Sequence, residues 1–147
     1  MTHQATITST KTKISLDKLS TGKKRYLQLA KRIARQSTHD THNHGCVLVK
    51  GGSVINVSAN KNNHCHFGRR FSAYKRKSFS TLHAELGAIL GLDRSLTHGS
   101  IAYVVRVKNG ALRMSKPCPM CEQALRFCGV KKVIYTTNDD SVIVEKL

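Results

Sequence analysis

Three side chains that lie far apart in sequence, His83, Cys118 and Cys121, constrain the fold because their chemistry requires them to meet. One imidazole and two thiols make the donor set of a tetrahedral Zn²⁺ whose fourth position stays open to water. Pro117-Cys118-Pro119-Met120-Cys121 wraps two of the ligands around one turn, so His83 must close the site from a neighbouring element. Glu85, two residues after His83, supplies a carboxylate able to move protons on and off that water. A structural zinc site would instead need a fourth Cys or His at matching spacing. After Cys121 the sequence offers Cys128, which falls seven residues on along the same predicted helix. Three ligands with an open corner and a neighbouring carboxylate make the catalytic pattern.

Hydrophobic periodicity supplies the scaffold for that convergence. Tyr26, Leu29, Ala30 and Ile33 recur at helical spacing between Ser20 and Gln36, with lysines and arginines on the other faces. Cys46–Val49 and Val54–Val57 flank Gly51-Gly52, a strand pair with a tight turn. Residues 60–80 carry no period and read as a long loop. Leu82–Leu92 reads as a second helix, the almost continuously apolar Ile101–Val107 as an interior strand, and Pro119–Cys128 as a third helix ended by Gly129. Val130–Thr136 and Val142–Glu145 complete the strands. Too few residues separate this last pair for a parallel crossover, so it should be antiparallel. The alternation fits an α/β fold with helices packed over a central sheet.

Length and charge set further bounds. At 147 residues the chain suits one compact unit over 16–147, preceded by a hydroxyl- and lysine-rich segment, 1–15, expected to be a flexible tail. No apolar run approaches a membrane span, and the first residues lack a secretory signal. Five cysteines, an odd number, argue against a disulfide framework and for a reducing compartment, cytoplasmic or nuclear. The net charge of +17, from 25 basic against 8 acidic side chains, is usually matched by a polyanion.

The order H-x-E followed by P-C-x-x-C is the signature of zinc nucleobase deaminases. On these residues the chain resembles the cytidine deaminase-like superfamily from Ser20 onward. His83, Pro117–Cys121 and the strand Val130-Lys131-Lys132-Val133-Ile134-Tyr135 look like those of deoxycytidylate, polynucleotide and tRNA deaminases. The resemblance implies a three-layer α/β/α fold with a mixed five-stranded sheet and an antiparallel final pair. It implies zinc-dependent hydrolysis in which Glu85 shuttles protons, Asn60 contacts the sugar, the Ala84 backbone bonds the ring amide and Tyr135 packs edge-on against the base. Free cytidine deaminases carry a cysteine in place of His83 and a glutamate in place of Ala59, which turns the resemblance away from free cytidine. The short final connection, by contrast, resembles that branch, whereas polynucleotide and tRNA enzymes insert a helix there.

Between Thr41 and Ala84 there is no carboxylate. Arg69, Arg70, Lys75, Arg76 and Lys77 alternate there with aromatics that include Phe71 and Tyr74. Cations for phosphates and aromatic faces for unstacked bases hold single strands without reading sequence. The same residues equally suit a loop anchored by aromatics with a solvated charged face. His42, His44 and Cys46 enter the hairpin where His64, Cys65 and His66 leave it. Some deoxycytidylate deaminases hold a second, structural zinc near the substrate loop, and Cys46, His64, Cys65 and His66 offer a comparable set. The plainer reading makes them polar loop residues and small core fillers. The expected reaction is cytosine to uracil in single-stranded DNA or RNA, with a deoxycytidine nucleotide next and adenosine in tRNA third; a homo-oligomer is compatible with each. The alternative from another class, a non-catalytic zinc-containing nucleic-acid-binding module, leaves Glu85 without a use.

Overall fold

A computed structural model describes residues 10–38, 42–64 and 81–147, without the side chains of 62–64, 81 and 82. A mixed sheet is covered by helices on both faces, the three-layer α/β/α arrangement expected. Helix α1 (Thr21–Ala34) starts where the Ser20 side chain accepts the Lys23 amide at 3.3 Å. Its buried residues Leu27, Ala30 and Ala34 pack on β2 (Asn43–Lys50) and β6 (Ile101–Lys108). The second face carries α2 (Ala84–Ile89) and α4 (Pro119–Phe127), joined by buried Leu86, Met120 and Leu125. A short helix, α3 (Arg94–Thr97), lies between α2 and β6. Helix α2 is shorter than Leu82–Leu92, because Leu90 turns extended and Gly91 takes a positive φ of 78°.

The sheet has seven strands rather than five. The five expected ones run in the order β3 (Ser53–Ala59), β2, β6, β8 (Lys132–Thr136) and β9 (Ser141–Lys146). The β6–β8 pair is parallel and β8–β9 antiparallel, as the short connection required. The additions are β1 (Lys11–Ser15) and β7 (Ala111–Arg113). Strand β1 corrects the expected flexible tail over 11–15: Lys11 pairs Glu145 and Ser15 pairs Ser141 on the edge of β9. Mostly exposed, it gains its place through backbone bonds rather than apolar side chains. Residues 1–9 lie outside the described residues. Two short strands, β4 (Lys61–His64) and β5 (Thr81–Leu82), pair at the ends of the segment read as a loop.

Strand alternation decides what faces the site. Along β2, Gly45, Val47 and Val49 turn to α1, whereas Cys46 and Leu48 join the core under α2 and α4. A Cβ on Gly45 would lie 2.2 Å from the Ala30 carbonyl oxygen and 2.6 Å from the Ala34 nitrogen. The helix backbone therefore rests directly on the strand that carries His44 near its start.

Candidate metal and active site

His83 is the residue immediately before α2 and Cys118 the one before α4; their carbonyls accept the Gly87 amide at 3.0 Å and the Glu122 amide at 2.9 Å. Pro119, at the first position of α4, has no amide to leave unpaired. The loop before it is pinned by Ser115, whose hydroxyl donates to the Val104 carbonyl at 2.8 Å and accepts the Thr136 amide at 2.8 Å. The loop that leads into Cys118 is thereby held by the central strands β6 and β8.

The ligand atoms of His83, Cys118 and Cys121 all lie within 4.8 Å of one another. His83 Nδ1 is 3.2 Å from Cys121 Sγ and 3.6 Å from Cys118 Sγ. With bonds of about 2.0 Å to nitrogen and about 2.3 Å to sulfur, a tetrahedral Zn²⁺ sets neighbouring N and S atoms about 3.5 Å apart. The donor set and its spacing therefore fit zinc. A hydrogen bond from Cys121 and another interaction with His83 hold the Cys118 thiol down at about 4, while burial pushes Cys121 far up. A divalent cation at this point would favour both sulfurs as thiolates.

Glu85 lies on the first turn of α2 and is 4 % exposed. Burial raises its carboxyl above the ordinary carboxylate range; His83 acts against that shift and Cys118 adds to it. A cavity of about 210 Å³ opens over this group. Glu85, Ala84, His83 and Cys118 line it together with Asn60, His42, His44 and Lys116.

The structure thus brings together His83, Glu85, Cys118, Cys121, Ala84 and Asn60. The Asn60 side chain, expected at a sugar, already binds the chain itself: Oδ1 accepts the His44 amide at 2.9 Å and the Ser37 hydroxyl, and Nδ2 donates to the His42 carbonyl. Tyr135 is not brought to the cavity. At 1 % exposure it packs in the core with Met120 and Leu125, and its hydroxyl donates to Glu145 Oε2 at 3.3 Å. The cause is its place on β8, where alternation turns Val133 and Tyr135 inward beneath α4. Cys46 is a fully buried core residue, as the plainer reading had it. The side chain of His64 and all of Cys65 and His66 lie outside the described residues, as do Arg69, Arg70, Phe71, Tyr74, Lys75, Arg76 and Lys77. Sequence reasoning gave no site role to Lys116, although its place directly before Pro117 set it beside the metal ligands.

Residues 20–137 match the family model described as the cytidine and deoxycytidylate deaminase zinc-binding region. Among solved structures, Acinetobacter baumannii RibD (form 1) is similar at 24 % identity and a TM-score of 0.51. That likeness covers 79 % of this chain but 28 % of the other, so the chain spans little more than a quarter of that protein's length. The dCMP deaminase of cyanophage S-TIM5, in its apo form, is similar at 24 % identity and a TM-score of 0.54, over 80 % of this chain and 84 % of that one. A comparison with curated proteins finds no match. Among the described residues, no helix is long and apolar enough to cross a membrane.

Proposed function

The chain belongs to the cytidine and deoxycytidylate deaminase zinc-binding family, and from that premise we propose that it hydrolyses the exocyclic amine of cytosine in single-stranded nucleic acid, giving uracil and ammonia. The observation that carries the proposal is the buried Glu85 beside a three-donor set at the floor of an open cavity. Zinc held by His83, Cys118 and Cys121 supplies Lewis acidity that brings the ionisation of water down to about pH 7.

The chain's own residues do the rest. Glu85 takes a proton from the attacking water and passes it to the ring nitrogen; it then takes the remaining proton from the hydroxyl now on the ring carbon and delivers it to the amine, which leaves as ammonia when the C–N bond breaks and the carbonyl forms. One carboxylate suffices because the transfers are sequential. The Ala84 backbone would bond the ring amide, a reading supported by its place in the cavity lining.

A polymeric substrate is supported by the +17 charge and by the basic, aromatic stretch between Phe67 and Phe79. A deoxycytidine nucleotide is the second reading, favoured by the likeness to the cyanophage dCMP deaminase. Incubating the zinc-loaded protein with a cytosine-rich oligonucleotide, deoxycytidine monophosphate and an adenosine-bearing tRNA loop, with products read by mass, tests both. Uracil in the oligonucleotide is the expected product. Uracil in the mononucleotide alone would move the assignment to the second reading, and inosine alone would overturn both.

A further inference from the structure

A second cavity, of about 310 Å³, opens on the other side of the sheet from the metal ligands. Its apolar walls are Leu27, Val105 and Leu112, which belong to the cluster packed under α1, whereas Cys118 and Cys121 pack with the opposite cluster. Lys24, Gln28 and Lys31 line it too, and at spacings of four and three residues they share one face of α1. Seven residues of helix set the two lysines about 10 Å apart, one on either side of Gln28. The single carboxylate among the described lining residues is that of Asp17, which accepts the Ser15 hydroxyl at 2.5 Å; Lys24 donates to the Asp17 carbonyl at 3.1 Å. We propose that this groove is a second nucleic-acid site, which takes one unstacked base of the same single strand whose target base lies over the metal ligands.

Helix α1 is charged in a way that its own stability does not explain. From Ser20 to Gln36 the chain carries Lys23, Lys24, Arg25, Lys31, Arg32 and Arg35 and no acidic residue. Lys31 and Arg32 suit the last turn, where the helix dipole favours cations. Lys23 and Lys24 stand at the other end, where it favours anions. Among the described residues none of the six forms an ion pair. An anionic chain laid along the helix supplies the charge that the protein leaves out.

Strand β7 joins the two cavities. Leu112 lines the groove, and Lys116, four residues on, lines the cavity over Glu85. Four residues span at most about 14 Å, so a strand seated in one cavity reaches the other within a few nucleotides. On β7 itself Arg113 stands opposite Arg106, a pairing of like charges that costs stability. No described carboxylate forms an ion pair with either, and Arg106 Nε is buried without a hydrogen-bond partner among the described residues. A phosphate passing over β7 offsets that repulsion. The groove's volume lies at the small end of the roughly 300–1,000 Å³ of ligand sites, which suits one base. Apolar walls take the faces of the ring, and the Gln28 amide offers a donor and an acceptor to its edge.

The inference rests on the polymeric reading of the substrate, but the groove is measurable without turnover. Fluorescence anisotropy of zinc-loaded protein with a labelled cytosine-rich strand of about 20 nucleotides gives the affinity and its salt slope. Lys24→Gln with Lys31→Gln should weaken binding about fivefold or more and lower the slope by about 1.4, two phosphates at about 0.7 each. Zinc content and the thermal midpoint should not change. A strand carrying 5-iododeoxyuridine a few nucleotides from a central cytosine should crosslink on irradiation to a peptide that holds Gln28 or Leu112, read by mass, and Leu112→Glu should remove that crosslink. Unchanged affinity and slope in the double variant overturn the groove, as does a crosslink found only on the zinc side of the sheet. Loss of binding to phosphatidylserine vesicles or to polyglutamate, with strand binding intact, assigns the lysines to another anion and overturns it as well. If the strand binds and crosslinks as expected while no cytosine is deaminated, the groove stands and the deaminase reading falls. Deamination of deoxycytidine monophosphate with no binding of the strand keeps the enzyme and removes the groove.

Discussion

Buried beside His83, the Glu85 carboxyl has no use in a site that only holds metal. Replacing Glu85 with alanine should therefore leave zinc content at one per chain while lowering deamination by about 10²–10⁴-fold. Elemental analysis paired with ammonia release checks both halves, and wild-type turnover would refute the assigned role. Removing the metal acts differently, because Cys118 and Cys121 are tied into the start of α4. Chelation should lower the thermal midpoint, by about 4 °C for each kcal/mol of binding lost, and added zinc should restore it. At this scale the sequence was most legible, since metal chemistry prescribes residue type and spacing together. Tyr135 and Asn60 were less so. Their direction depends on strand alternation and on hydrogen bonds to residues 18 and 16 positions away, which no local pattern records. Lys116 was hidden by abundance: one lysine among 25 basic side chains carries no signal of its own.

Strands and helices carry their own tests. Gly45 has no room for a methyl group between β2 and α1, with the Ala30 carbonyl 2.2 Å from an added Cβ. Gly45→Ala should cost about 1–3 kcal/mol in denaturant unfolding and should disturb the neighbouring His44. Stability equal to wild type would mean that α1 moves off the strand freely. On the opposite edge, Lys13 bonds Asp139 at 2.5 Å in the turn between β8 and β9. The lysine, together with the Thr137 hydroxyl, holds the Asp139 carboxyl down at about 2. Because the folded value lies below the ordinary 3.8, this tether is complete above about pH 4 and is lost as pH falls towards 2. Amide exchange in β1 should therefore quicken over that window before exchange in β8 does, and Asp139→Asn should quicken it at neutral pH. The five central strands could be read from their apolar runs, and the antiparallel β8–β9 pair from the length of its turn. Strand β1 could not, because Ile14 is its one large apolar residue and its partners are the backbone groups of β9.

Over the whole molecule, the +17 charge sets behaviour that no single contact explains. Binding to a single strand should weaken linearly with the logarithm of salt, by about 0.7 in slope for each phosphate neutralised. Exchanging Arg69, Arg70, Arg76 and Lys77 for glutamine should flatten that slope, and an unchanged slope would leave the mononucleotide as the better substrate. Composition made this property plain, whereas the three-layer arrangement needed the strand order to be seen. That order also bears on how the protein is handled. The match to the family begins at residue 20, beyond β1. A fragment trimmed to those bounds would strip the cover from β9 and bare a row of amides and carbonyls that any passing chain could zip onto. Strand β1, unremarkable in its side chains, thus acts as a stopper against self-association, and cutting it away should show as growing light scattering rather than as lost chemistry.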